Sequence, residues 1–169
     1  IDVDRAAARA ILDGAKRDRR EHLTQIESLE LLRAYGVSVA NARLATTADE
    51  AARIANQIGY PVVMKLVSAD VVHKTDVGGV RVGISSEAAA RAAFDEILAS
   101  VVTAVPNVHI GGVLVQRMVR GGTETIVGLA RDPSFGPMLM FGLGGIFVEA
   151  IGDVVFRIAP VDPTQATGM

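Results

Sequence analysis

A lysine inside an apolar strand is the first residue whose position calls for chemistry. Lys65 sits in Val62-Val63-Met64-Lys65-Leu66-Val67, on the same side of an extended segment as Val63 and Val67. Lysine is rarely buried without a partner. Either its stem packs while the ammonium reaches water, or the ammonium projects into a cleft and holds an anionic oxygen such as a phosphate. The segment that follows, residues 68–80, carries His73, a proton-transfer group, and Lys74, a second cation. It ends in Gly78 and Gly79, which let backbone N–H groups approach a ligand, although the same residues also suit an ordinary hairpin with a solvated histidine. Neither a GxxxxGK[ST] run nor a GxGxxG turn after a strand is present, so the two commonest nucleotide motifs do not apply. Further on, Gln116, Arg117 and Met118 end a strand. Backbone groups there can read the edge of an adenine with Met118 against its ring, and Glu124 can accept from ribose hydroxyls or orient a lysine. The plainer alternatives are Met118 as core filling and Glu124 as a surface carboxylate beside a turn. The glycines of residues 135–149 suit close ligand approach or a tight hairpin. Glu149 and Asp153 are single carboxylates at a spacing that is not a metal motif. His22 and His109 have no constellation around them and read as structural or solvated.

Several elements have to position these residues. Ala7, Ala8, Ile11, Leu12 and Ala15 form one helical stripe. Thr24-Gln25-Ile26-Glu27 matches a capping box, opening a helix that carries Ile26, Leu29 and Leu32 and stops at Tyr35-Gly36. A short strand is expected over residues 38–45. Thr47 then opens a helix with Asp49 and Glu50 in its first turn and a stripe of Ala51, Ile54, Ala55 and Ile58. The nearly continuous apolar run 62–67 reads as a strand covered on both faces. Residues 80–84 read as another strand, and Ser85-Ser86-Glu87 caps a helix with the stripe Ala90, Phe94, Ile97, Leu98 and Val101. Strands are expected at 113–118, 124–130, 138–141 and 146–158, separated by turns. Residues 162–169 show no pattern of their own. Helix–strand alternation followed by antiparallel strands implies an α/β lobe joined to an α+β lobe, with a seam near residues 112–118.

Composition narrows the classes. The chain has 169 residues, half of them apolar, enough for a core in one domain or two small lobes. A net charge of −2 and 4% aromatics argue against a nucleic-acid surface, which needs clustered basic residues and stacking rings. The absence of cysteine removes disulfides, thiolate metal sites and thiol nucleophiles, and fits a reducing, cytoplasmic setting. No apolar run approaches the roughly 18 residues of a membrane span, and the first residues do not resemble a secretory signal. The start at Ile1 reads as a piece of a longer protein.

Taken together, Leu32-Arg33-Ala34-Tyr35-Gly36-Val37, Gly59-Tyr60-Pro61-Val62-Val63-Met64-Lys65, His73-Lys74-Thr75-Asp76-Val77-Gly78-Gly79-Val80, residues 131–137 and Phe141-Gly142-Leu143-Gly144-Gly145-Ile146 resemble the ATP-grasp domain of the NDP-forming acyl-CoA synthetases, relatives of the nucleotide-binding subunit of succinyl-CoA synthetase. The resemblance covers nearly the whole chain. It implies a two-lobed ATP-grasp fold, with residues 1–28 a helical segment associated with the second lobe, 29–112 the first lobe and 113–169 the start of the second. It implies ATP or ADP with Mg²⁺ as ligand: Lys65 on the phosphates, the loop with Lys74, Gly78 and Gly79 over them, Gln116, Arg117 and Met118 as the adenine hinge, and Glu124 on the nucleotide. Relatives often have Glu at the position of Gln116. His73 matches a histidine implicated in phosphate relay in the ADP-forming branch, and a neutral imidazole suits that role as nucleophile and leaving group. The implied reaction interconverts acyl-CoA, ADP and phosphate with carboxylate, CoA and ATP, through an acyl phosphate and a phosphohistidine. The implied partners are CoA-binding and CoA-ligase domains, fused or separate, in an oligomeric parent, with no nucleic acid and no membrane. The metal-bearing strands of the family would follow residue 169, so the isolated piece is expected to lack turnover. The alternative is a catalytically inactive, synthetase-like regulatory region of a bacterial protein lysine acetyltransferase.

Overall fold

The computed structural model describes residues 3–68, 70–71, 73–145 and 153–169. It divides into two compact units, Ile1–Val119 and Arg120–Met169.

The first unit opens with α1 (Arg5–Arg17), whose N-cap Asp4 accepts from the Ala7 N–H at 2.9 Å. The capping box expected at Thr24 is formed at the start of α2 (Gln25–Ala34). The Thr24 hydroxyl accepts from the Glu27 N–H at 3.2 Å, and the Glu27 carboxylate accepts from the Thr24 N–H at 2.7 Å. Arg20 completes it, because its Nη1 and Nη2 donate to the two Glu27 oxygens, each at 2.7 Å. Those donors, Arg20 first and the Thr24 N–H second, hold the Glu27 carboxyl down at about 2 from its ordinary 4.5. A carboxylate held low contributes stability that is complete above its unfolded value and is lost as the pH falls through its folded one. Thermal melts of the chain and of Glu27→Gln should therefore differ above pH 5, with the variant the less stable, and converge between pH 4.5 and 2. Curves that stay parallel through that window would refute this.

The first sheet contains β1 (Ala42–Ala45), β2 (Val62–Val67), β3 (Val80–Ile84) and β4 (Gly112–Arg117), in the order β1-β4-β2-β3. Every neighbouring pair is antiparallel. β1 and β2 therefore run in the same direction without touching, with β4 inserted between them. Helices α3 (Ala48–Ile58) and α4 (Glu87–Ala104) form one core with one face of the sheet. Ile54, Phe94, Ile97 and Val101 pack there with Val62, Met64, Leu66, Val113 and Val115.

The packing of β2 differs from the sequence expectation. Val62, Met64 and Leu66 are buried, whereas Val63, Lys65 and Val67 are only half-buried. Double coverage belongs to parallel sheets flanked by helices on both sides, and this antiparallel sheet has α3 and α4 on one side. β1 also begins at Ala42 rather than 38. β4 pairs with both β1 and β2, and residues through Val119 fall in the first unit together with α1 and α2.

The second unit is an antiparallel meander of β5 (Thr125–Asp132), β6 (Gly136–Leu143) and β7 (Val154–Ile158). Asp132 shapes the β5–β6 turn, its Oδ1 accepting from the N–H groups of Ser134 and Phe135 at 2.8 and 2.9 Å. The expected strand 146–158 is observed from Val154; residues 146–152, including Glu149, lie outside the described residues. A short helix α5 (Pro163–Thr167) follows where the sequence reading found no pattern. Its cause is a second capping box, in which Asp162 accepts from the Gln165 N–H at 2.8 Å and Gln165 accepts from the Asp162 N–H at 3.0 Å.

Candidate functional site

Lys65 lies on the sheet face turned away from α3 and α4. In register it stands opposite Leu114 of β4 and Val80 of β3. Leu114 is fully buried although it is not part of the helix-facing core, so the face around Lys65 is packed at its centre. Gln116 is opposite Val63 and Ala42, which makes it the diagonal neighbour of Lys65 on the same face, about 7–8 Å away between Cα atoms. Among the described residues the Lys65 ammonium has no hydrogen bond and no ion pair, although the side chain is half-buried.

The loop after β2 is tied down at both ends. Ser68 Oγ donates to the His109 carbonyl at 2.7 Å, and Asp70 Oδ2 accepts from the His109 N–H at 2.7 Å. Val71 is buried as part of the hydrophobic core. At the far end the Gly79 N–H donates to the Lys74 carbonyl at 2.7 Å, and the Gly79 carbonyl accepts from Leu66 N–H at 2.8 Å. Packing alone explains the two glycines. Gly78 has φ +69, and a Cβ on Gly79 would lie 2.9 Å from the Lys74 carbonyl oxygen. Between these anchors His73 is exposed and Lys74 half-buried.

Lys74 also lines a cleft of about 590 Å³ within the first unit. One wall is the connection between α1 and α2, with Arg20, His22, Thr24 and Gln25; the other is the exit of β2, with Val67, Ser68 and Val71. The Gln25 Oε1 is buried without a hydrogen-bond partner. His22 has no constellation in the sequence, and the structure sets it in the same cleft as Lys74, across from the β2 exit. The one sequence signal for this wall was the Thr24 capping box, which fixes where the connection ends and α2 begins. Nothing in the sequence shows which strand exit it faces.

At the end of β4, the Arg117 N–H donates to the Asn41 carbonyl at 2.9 Å and the Met118 N–H to the Pro61 carbonyl at 3.0 Å. Both donors are occupied within the fold, so a base edge at Gln116–Met118 has to be met by carbonyls, side chains or the backbone beyond Met118. Glu124 belongs to the second unit. There its carbonyl accepts from the Gly144 N–H at 2.8 Å, and its carboxylate lies where a side chain on Gly145 would begin. Among the described residues no three His, Asp or Glu side chains gather to hold a metal ion, and no helix is long and apolar enough to cross a membrane.

Comparison with known proteins adds four findings. The sequence pattern of the ATP-grasp domain matches residues 14–169. The ADP-forming acetate–CoA ligase I of Archaeoglobus fulgidus is 54% identical over 143 residues, which cover 85% of this chain and 21% of that protein. The beta subunit of the ADP-forming acetate–CoA ligase I of Pyrococcus furiosus is 45% identical over 168 residues, covering 99% of this chain and 72% of the subunit. Among solved structures, the dinucleotide-forming acetyl-coenzyme A synthetase 1 of Ca. Korarchaeum cryptofilum, in complex with coenzyme A, Ca-AMPCP and HgCl⁺, matches with a TM-score of 0.91 at 48% identity. That match covers 96% of this chain and 71% of the other. The chain thus spans about a fifth of the A. fulgidus ligase.

Proposed function

We propose, from the premise that this chain belongs to the ATP-grasp family, that it is the nucleotide-binding part of an ADP-forming acyl-CoA synthetase. The observation that carries the reading is Lys65, a half-buried residue whose ammonium has no partner among the described residues, on the sheet face turned away from α3 and α4. The names of the relatives, ADP-forming acetate–CoA ligases, support the same reading. Lys65 and Lys74 neutralise the phosphates, Gln116, Arg117 and Met118 border the base, and the loop ending in Gly78 and Gly79 lies over the phosphate chain. Glu124 is a further nucleotide contact in this reading. CoA-binding and CoA-ligase domains are the partners that complete the enzyme.

The chemistry assigned to this chain is phosphoryl transfer, in which positioning and charge neutralisation supply most of the catalysis. In the partner domains phosphate displaces CoA from the acyl-CoA, giving an acyl phosphate. Transfer of its phosphoryl group to a histidine nitrogen breaks the P–O bond to the acyl group, releases the carboxylate and leaves a phosphohistidine. His73 then receives that group at an imidazole nitrogen, as the P–N bond to the first histidine breaks and that histidine leaves as an imidazole. A terminal oxygen of the ADP β-phosphate then attacks phosphorus, the P–N bond breaks, and His73 leaves as the imidazole it was. The described residues offer no cluster for Mg²⁺, so no step is assigned to the metal through them.

Calorimetric titration of the chain with ADP and Mg²⁺ tests the reading. Saturable binding with one site per chain is expected, and no heat up to about 1 mM, equivalent to a gain of less than about 4 kcal/mol, would contradict it.

A further inference from the structure

Asp70 plays no part in the chemistry above, yet its carboxylate is committed. Its Oδ2 accepts from the His109 N–H at 2.7 Å, while its own N–H donates to Ser68 Oγ at 3.1 Å, and Ser68 Oγ donates to the His109 carbonyl at 2.7 Å. Both backbone groups of His109 are thereby gripped by the start of the loop. The grip sits beside a third bond, from Gly111 N–H to the Val67 carbonyl at 2.8 Å. The loop that leaves β2 is therefore fixed to the segment that enters β4, the strand carrying Gln116. Val71 follows as a buried plug in the core, and Lys74 is held through its carbonyl by Gly79. His73 stands exposed between those two fixed points, one residue removed from Val71 and adjacent to Lys74.

We infer that Asp70 is a positioning residue for His73: through the backbone of His109 it sets where the imidazole stands relative to the Lys65 face. The inference rests on the phosphate-relay reading of His73. An exposed phosphoacceptor must be reachable by its donor and still be placed to within a fraction of an ångström when phosphorus is transferred. Core packing can place a buried side chain. It cannot place an exposed one, so the loop carrying His73 is pinned through its backbone. The carboxylate acts here as a hydrogen-bond acceptor, which Asn supplies equally and Ala does not.

Two measurements on Asp70→Ala, Asp70→Asn and Ser68→Ala test this. Asp76→Ala, an exposed carboxylate in the same loop, is the control. The first is amide hydrogen exchange at Gly78 and Gly79 in the chain without nucleotide, alongside its melting temperature. Asp70→Ala and Ser68→Ala should speed exchange at those amides about tenfold or more with protection in α3 and α4 unchanged, while Asp70→Asn and Asp76→Ala stay near the parent. The second is ATP formation from acyl-CoA, ADP and phosphate by the assembled synthetase. Asp70→Ala should lower kcat about 10- to 100-fold with the KM for ADP nearly unchanged, and Asp70→Asn should restore most of it. Unchanged exchange in Asp70→Ala, a rise in KM without a fall in kcat, or an Asn variant as impaired as Ala would each overturn the proposal. Should Asp70→Ala not fold, Ser68→Ala carries the same comparison through the other limb of the grip. An assembled enzyme that keeps full activity as His73→Asn would instead refute the relay reading, and the exchange result would still decide whether Asp70 fixes the loop.

Discussion

His73→Asn in the assembled synthetase is expected to reduce ATP formation from acyl-CoA, ADP and phosphate by at least about 10³-fold, in the range seen when a covalent nucleophile is removed. ADP binding by the same variant should remain within about twofold of the parent, a change of less than about 0.5 kcal/mol. The split follows from position. His73 is exposed, and neither its carbonyl nor its N–H is among the bonds that close the loop. Asn keeps the polarity of the loop but has no nitrogen able to carry and release a phosphoryl group at neutral pH. Acid-labile phosphate on the chain, present in the parent and absent in the variant, provides an independent readout. His22 lines the same cleft as Lys74 from the facing wall, so His22→Asn is the appropriate control and should retain the label. Label surviving in His73→Asn but lost in His22→Asn would move the relay to the wrong side of the cleft for the present assignment.

The second large effect concerns charge. Lys65→Ala should weaken ADP binding about tenfold or more, roughly 1.4 kcal/mol, with little loss of thermal stability. Among the described residues the ammonium has no internal partner, so folding loses no ion pair when it goes. Its stem lies across the strand from buried Leu114, which makes Lys65→Met the sharper variant. Met keeps the apolar stem and deletes only the charge, so its stability should match or exceed that of the parent while binding falls as far as in Ala. Lys65→Arg is not a rescue by default, because a planar fork replaces a compact point charge. Binding in Lys65→Met equal to that of the parent would remove Lys65 from the phosphates.

Much of this was legible in the residues because local rules decided it. The run 62–67 and the run 80–84 are strands with the expected bounds, and Thr24 and Thr47 cap the helices they were expected to cap. The stripe Ala90, Phe94, Ile97 and Val101 faces the core. Where the reading failed, the deciding fact was not local. Apolar Val63 and Val67 suggested double coverage, but strand direction and helix placement are properties of the whole sheet. Met118 and Arg117 looked like free backbone at a strand end, and their N–H groups are taken by Pro61 and Asn41, partners more than fifty residues earlier. The cleft wall at His22 and Gln25 faces Val67 and Lys74 across more than forty residues of chain. Asp70 reads as one more polar loop residue until His109 is seen beside it. The missed α5 was different, since Asp162-Pro163-Thr164-Gln165 carries both halves of a capping box in plain sequence.

The insertion of β4 between β1 and β2 has a consequence for how the chain comes to be folded. β1 and β2 are separated by only sixteen residues, a span that includes the helix α3, yet neither pairs with the other. Among the described residues β1 pairs with β4 alone, and the face bearing Lys65 gains its centre only when Leu114 arrives. On a ribosome, everything up to Val108 can emerge with just one hairpin, β2 with β3, available to it. Sheet closure then waits for the last six-residue strand of the unit, a pairing of long sequence separation of the kind that slows folding. The clasp on His109 and the bond from Gly111 to Val67 sit immediately ahead of that strand. They hold its leading end against β2, so that β4 enters its slot in register.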